Sequence, residues 1–273
     1  SVKIAYVITR VEPVGGAQIH VRDLAVAAHA CGHAPTVITS GQGPFVDALR
    51  AQNIPTITLR HLGVPIHPLR DLRALGEVRD VLKRIGPDLI AAHSSKAGIL
   101  GRLAGRSLGL PVVLTAHGWS FTPGIPERRA MVYRRIERLV GPLTDRIITV
   151  SEFDRRLALE AGVAREDRLV TVHNGIPDIP LQRKADPGRT PVRLVMVARF
   201  ESQKDHPTLF AALAGLRGLP WELDLIGSGV LMEQMRSLAG SFGLGERVRF
   251  LGQRADVAEL EANNRKKDEA REE

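Results

Sequence analysis

Val192-Arg193-Leu194-Val195-Met196-Val197-Ala198-Arg199-Phe200-Glu201-Ser202-Gln203-Lys204-Asp205-His206 is the stretch that decides how this chain folds. Its first six residues are mostly apolar and β-prone, which predicts a strand. The polar run that follows leads into Pro207 and an apolar segment at 207–216, which predicts a helix. A strand passing through a short loop into a helix is half of a βαβ unit and belongs to a parallel sheet. Arg199 and Lys204 are thereby set at the carboxyl edge of that sheet, where open α/β folds bind ligands and a helix N-terminus favours anions. Two cations at such a place suit a diphosphate.

Downstream the pattern continues with a strand at 221–226, the turn Gly227-Ser228-Gly229, a helix at 230–242 and a strand at 248–251. Upstream, residues 178–191 are rich in Pro, Lys, Arg and Asp and read as a linker. Before the linker the same alternation runs through strands at 3–9, 35–40, 56–59, 88–93, 112–117, 146–150 and 169–172. Helical periodicity fills the gaps at 18–30, 44–52, 69–85, 97–108, 127–140 and 152–161. Ser151, with Asp154 three positions on, predicts a cap for the last of these. The expectation is an α/β chain with a Rossmann-like domain at 1–177, a linker at 178–191 and a second βα series at 192–260. The tail at 261–273 (EANNRKKDEAREE) is nearly all charged and can supply no buried strand.

Composition narrows the partners. With 273 residues, 44% hydrophobic and 25% charged, the chain has what two globular cores require. The formal charge of +8 and a pI near 10.2 favour anionic ligands. Aromatic residues are only 4%, with no nucleic-acid recognition motif, which argues against nucleic acid. The single cysteine, Cys31, has no disulfide partner and reads as a small buried hydrophobe in a reducing compartment. No apolar run approaches the roughly 20 residues of a membrane span, and the start lacks a signal pattern, so the expected location is cytoplasmic.

Four further motifs carry chemistry. Gly15 and Gly16 sit between the first strand and first helix, where side-chain-free amides can approach a phosphate; an ordinary tight turn fits equally well, since neither the G-x-G-x-x-G nor the P-loop spacing is present. His93-Ser94-Ser95-Lys96 and His117-Gly118-Trp119 end two strands and bring two imidazoles and an ammonium to the same edge. No metal is expected there, because no carboxylate or cysteine joins the histidines at ligand spacing. Gly227 and Gly229 repeat the glycine-turn logic in the second half. Finally, Arg128, Arg129, Arg134, Arg135 and Arg138 interleave with Met131, Val132, Ile136 and Leu139 on one helix. Such a helix either packs one face and solvates the other, or touches an anionic membrane or a lipid-linked phosphate.

Taken in order, Gly15-Gly16-Ala17, His93 through Gly98, Thr115 through Gly118, Ser151-Glu152, His173 through Ile176 and Arg199 through Lys204 resemble glycosyltransferase family 4, especially its capsular and exopolysaccharide members. The resemblance covers roughly residues 2–260. It implies a GT-B fold of two Rossmann-like domains facing a cleft, and a retaining hexosyl transfer that needs neither metal nor cofactor. The implied donor is a nucleoside-diphosphate sugar, and the implied acceptor a saccharide or lipid-linked saccharide. By the same resemblance Gly16 faces the donor diphosphate, Arg199 and Lys204 grip it, and His117 contacts the transferring sugar. Gly15, Gly227, Gly229 and Arg254 line the donor side, and His93 and Lys96 the acceptor side. Peripheral attachment to the inner membrane face through Arg128, Arg129, Arg134 and Arg135 is in keeping with such an acceptor.

Family members also carry a Glu-Phe-Gly segment with a second glutamate eight positions on. Nothing after Glu261 matches it, so the second domain reads as incomplete. The alternative function is therefore a non-catalytic nucleotide-binding module derived from such an enzyme. A dinucleotide-dependent oxidoreductase suits the βα alternation but not the missing fingerprint.

Overall fold

The computed structural model describes residues 1–9, 14–63, 67–175, 188 and 190–254. Most of the expected linker and the whole charged tail lie outside the described residues. The chain divides into two compact units, Ser1–Gly175 and Ile176–Glu273.

Among the described residues, the first unit holds seven strands: β1 (Lys3–Ile8), β2 (Ala34–Ser40), β3 (Thr56–Leu59), β4 (Leu89–His93), β5 (Val112–Ala116), β6 (Arg146–Thr149) and β7 (Leu169–Thr171). They form one parallel sheet in the order β3-β2-β1-β4-β5-β6-β7. Helices α1 (Gly16–Ala30), α2 (Pro44–Ala51), α3 (Pro68–Ile85), α4 (Ser95–Leu108), α5 (Glu127–Val140) and α6 (Glu152–Glu160) connect them. Strand β1 shows why the run is almost wholly apolar. Ala5 and Val7 enter one core cluster, with Ile38, Leu82, Ile90 and Leu100, while Tyr6 and Ile8 enter another, with Val21, Val37, Phe45 and Leu49. Alternate residues face opposite sides of the sheet, and helices cover both sides.

The order of strands reverses between β1 and β4. Ile8 pairs with His93, and His93 with Thr115, so the carboxyl ends of β1, β4 and β5 finish in one layer. That reversal opens the crevice in which doubly wound folds bind ligands.

The second unit repeats the plan in three parallel strands, β8 (Val192–Val197), β9 (Trp221–Ile226) and β10 (Val248–Gly252), ordered β10-β9-β8. Helices α7 (His206–Ala214) and α8 (Met232–Ser241) cover a core of Phe200, Phe210, Leu223, Leu225 and Met235. Leu194 and Met196 pack against that core, whereas Val195 and Val197, on the opposite side of β8, are exposed among the described residues.

Observed element boundaries fall within about two residues of those the periodicity predicts. The Ser151 cap forms, its hydroxyl oxygen accepting from the Asp154 amide at 3.1 Å. Cys31 is a correction: it is exposed rather than buried. It caps the C-terminus of α1, where the chain turns through Gly32 in a left-handed conformation and leaves the helix's apolar stripe.

Candidate functional site

At the β1–β4–β5 edge, Gly15 caps α1 and its amide donates to Gln18 Oε1 at 3.1 Å. Gly16 is the first helical residue and is exposed. Its amide is among those a helix cannot satisfy internally. A β-carbon built on Gly16 would meet no atom within 4 Å, and its φ is not left-handed, so the fold itself does not require glycine there. Opposite, Ser94 follows β4 with φ of 73°, an unusual conformation for a side-chain-bearing residue. Its hydroxyl bonds the Thr9 hydroxyl, and Ser40 donates to the Thr9 carbonyl, so the ends of β1, β2 and β4 are tied together.

Three imidazoles meet in this layer. His93 is fully buried and His117 partly buried. His93 Nδ1 and His117 Nε2 share a hydrogen bond of 3.1 Å, with ring planes only 27° apart. His20, one turn into α1, stands edge-on to His117 with ring centres 4.9 Å apart. Burial holds His93 well below the ordinary imidazole range, with His117 and His20 adding to the effect. Burial, and then His20, brings His117 down to about 4. Burial also lowers His20, against a smaller opposing pull from Asp23. All three rings are therefore neutral near pH 7, and they act as hydrogen-bonding groups rather than as cations. One nitrogen from each ring lies within 4.8 Å of the others, a spacing that could hold a metal ion. The direct bond between His93 and His117 uses two of the cluster's nitrogens on each other, and an ion held through them would have to break it.

Lys96 Nζ is bound at 2.8 Å by Asp71 of α3, a pair that is largely buried. Ser95 and Ser120 share a bond of 2.8 Å. A cavity of about 210 Å³ opens here, lined among others by Ser94, Ser95, Thr115, His117 and Glu137. Glu137 is buried and accepts from Arg102 at 2.8 Å; Arg102 also donates to the Gly98 carbonyl. Burial raises the Glu137 carboxyl, and Arg102 opposes that. A larger cavity of about 450 Å³ lies beside α5, between Phe121, Ile125, Arg134, Arg138 and Leu157.

The edge of the second unit is built differently. Arg199 follows β8 and pairs with Glu201 at 2.8 Å, with side chains 38% and 35% exposed. Lys204 is exposed and ends a short 3-10 turn just before α7. The turn after β9 wraps against this loop: the amides of Ala198 and Phe200 donate to the carbonyls of Ile226 and Ser228, and Leu231 donates to the Phe200 carbonyl. Gly227 and Gly229 have φ of 149° and 156°. A β-carbon on Gly227 would lie 2.0 Å from the Ala198 carbonyl oxygen, and one on Gly229 2.5 Å from that of Phe200. Only glycine permits this approach, and the approach holds the loop that carries Arg199. Arg254 is exposed just beyond β10.

Sequence reading placed His93, Lys96, Gly16 and His117 on one edge, and the structure brings them there. It missed His20, Gln18, Asp71 and Glu137. The only available signal for His20 was its position one turn after Gly16, on the same helix face; Asp71 and Glu137 arrive from distant helices.

Family models cover most of the chain. The model of Glycosyltransferase Family 4 matches residues 14–178, and that of Glycosyl transferases group 1 matches residues 180–265. The chain is 28% identical over 246 residues to the Escherichia coli UDP-Gal:alpha-D-GlcNAc-diphosphoundecaprenol alpha-1,3-galactosyltransferase, covering 82% of this chain and 62% of that protein. It is 27% identical to the putative glycosyltransferase EpsD of Bacillus subtilis, over 72% of this chain and 55% of that one. The chain thus spans about half to three-fifths of the length of these relatives. Among solved structures, Anabaena Alr3699/HepE in complex with UDP and glucose superposes with a TM-score of 0.76 at 23% identity, covering 95% of this chain and 71% of that one. Sucrose-phosphate synthase from Thermosynechococcus elongatus superposes at 0.69 and 20%, covering 93% and 71%. These superpositions establish the fold as GT-B-like, with a smaller second sheet.

Proposed function

This chain belongs to Glycosyltransferase Family 4, and from that premise we propose that it transfers a hexosyl group from a nucleoside-diphosphate sugar to a saccharide or lipid-linked saccharide, with retention of anomeric configuration. The observation that carries this reading is the Arg199 and Lys204 edge. The Arg199–Glu201 pair is a half-exposed contact between near neighbours, and such pairs contribute about 0–1 kcal/mol. A diphosphate carrying more charge than one carboxylate displaces it readily.

In the reaction, the bond from the sugar C1 to the diphosphate oxygen breaks, and the acceptor oxygen bonds C1 on the same face. The leaving diphosphate gains negative charge, which Arg199 and Lys204 stabilise preferentially in the transition state. It also takes the acceptor proton, so no protein base is needed. His117, neutral at working pH, hydrogen-bonds the sugar, and the Gly16 amide donates to phosphate. Gly15, Gly227, Gly229 and Arg254 shape the donor side, while Lys96 lies on the acceptor side, with the buried His93 behind His117. No metal or other cofactor enters this scheme. The nucleotide is a uridine diphosphate in the two cited proteins whose names give one, and it is our first choice here.

The location we propose is cytoplasmic, with peripheral attachment to the inner face of the membrane. No described helix is long and apolar enough to cross one. Met131, Val132 and Leu139 on α5 are 42%, 53% and 77% exposed, alongside Arg128 and Arg135. Arg134 is engaged by Glu127, and Arg129 lies over Tyr133. An amphipathic basic face of this kind supports contact with anionic headgroups.

Calorimetry of the intact chain with UDP-glucose, GDP-mannose and ADP-glucose tests the reading, paired with a sugar-transfer assay. Binding of one donor that disappears in Arg199→Ala supports it, and turnover completes it. Binding without turnover favours the non-catalytic module, and no binding at millimolar donor overturns both.

A further inference from the structure

The bond between His93 and His117 contains one hydrogen, because both rings are neutral, and either ring could own it. The surroundings of His93 break the tie. Its Nε2 is buried and, among the described residues, has no hydrogen-bond partner. If His117 donated from Nε2, the His93 hydrogen would sit on this buried Nε2 as an orphaned N–H, the type of unsatisfied group folded proteins tolerate least. If His93 donates from Nδ1, what remains on Nε2 is a lone pair, whose isolation costs less. Turning the ring over offers no escape, since a half-turn keeps its plane but presents Cδ2 instead of Nδ1 to His117 and loses the bond.

We propose that His93 is a positioning residue: its Nδ1–H donates to His117 Nε2 and thereby fixes His117 as the tautomer that carries its single hydrogen on Nδ1. His117 then reaches the substrate as a neutral donor through Nδ1 and accepts nothing from it, because its acceptor nitrogen is already occupied. This sets the kind of atom His117 recognises, namely an oxygen lone pair, as on a sugar hydroxyl or a phosphate. His93 itself, fully buried, works through His117 rather than by touching the acceptor. Among the described residues, the ionisable groups around the pair are His20 on α1, Tyr6 on β1 and Glu137 on α5, with Asp23 acting through His20. The inference rests on the role proposed for His117, but its first test does not.

Histidine-selective ¹⁵N labelling of the intact chain, read by long-range ¹H–¹⁵N correlation at pH 7, reports each tautomer directly. His117 and His93 are both expected with a hydrogen on Nδ1 and a bare Nε2. A hydrogen on His117 Nε2 overturns the proposal whether or not the chain is active. Kinetics then separates positioning from packing. An asparagine amide reaches the place of imidazole Nδ1, so His93→Asn should keep kcat within about threefold of wild type and keep the His117 tautomer. His93→Leu, of similar bulk without a donor, should lower kcat about tenfold or more with donor KM nearly unchanged. Equal kcat in the two variants overturns the proposal. If His117→Ala leaves transfer intact while the spectrum shows the expected tautomer, it is the catalytic reading of His117 that fails.

Discussion

The carboxyl edges of the two sheets share one plan, strand then short loop then helix, and solve opposite electrostatic problems. In the first unit, burial strips charge from three imidazoles and leaves them as directional hydrogen-bonding groups. In the second, the cationic side chains of Arg199 and Lys204 stand near solvent. The glycines divide in the same way. Gly16 has open space around it, whereas Gly227 and Gly229 are demanded by backbone contacts with residues 198–200. A similar local sequence therefore leaves open space at one edge and builds the loop at the other. Which role applies depends on what the neighbouring strand brings close.

The sharpest break would come at Gly227. Gly227→Ala must move the Ala198 carbonyl or abandon the observed φ, and should destabilise the second unit on the order of 4 kcal/mol. Hydrogen exchange should register the loss in β8 to β10 and leave β1 to β7 protected; unchanged exchange would mean that the close approach is not what holds this loop. Next in size, Arg199→Ala combined with Lys204→Ala should lower kcat about 10²–10³-fold while thermal melting stays near wild type. A large shift in melting instead would make the cations structural.

Acidity tests the neutral edge. The folded-state value of His117, about 4, lies below its ordinary 6.5, so between these values the unfolded chain binds more protons. Its contribution is present in full above about pH 6.5 and is lost as pH falls toward 4, up to about 3 kcal/mol, with His93 and His20 acting in the same direction. Urea midpoints at pH 7 and pH 4.5 should differ less in His117→Gln than in wild type; equal differences would deny that burial neutralises this ring. The smallest change in stability belongs to Gly16→Ala. It should alter stability by less than about 0.5 kcal/mol yet weaken donor binding about tenfold, as expected where a bare amide meets phosphate. Unaltered donor affinity would return Gly15-Gly16 to an ordinary βα turn.

Much of this was legible from sequence. Strand β1 reads as continuous apolar residues because both of its faces are covered, and α5 was located at Glu127–Val140 from its periodicity alone. His93 and His117 were legible because each ends a strand, and parallel strands finish together. The partnerships were not. Lys96 was read as an acceptor-side cation, and its bond to Asp71 depends on α3 packing beside α4. The Arg102–Glu137 pair joins residues 35 positions apart on two helices, with no local pattern to announce it. The exposure of Cys31 is not legible locally, because helical periodicity says which face is apolar but not where the last turn leaves the core.

Local propensity and the spacing of apolar residues act along the chain, so the sequence determined the order of elements, the parallel class of both sheets and the edge on which polar side chains would gather. Proton location, charge state and the need for glycine depend on which atoms from remote segments exclude water or come within contact distance. Desolvation and steric contact act through space, and so the neutrality of the histidines, the bond between His93 and His117 and the contrast between Gly16 and Gly227 were decided only when the chain had folded.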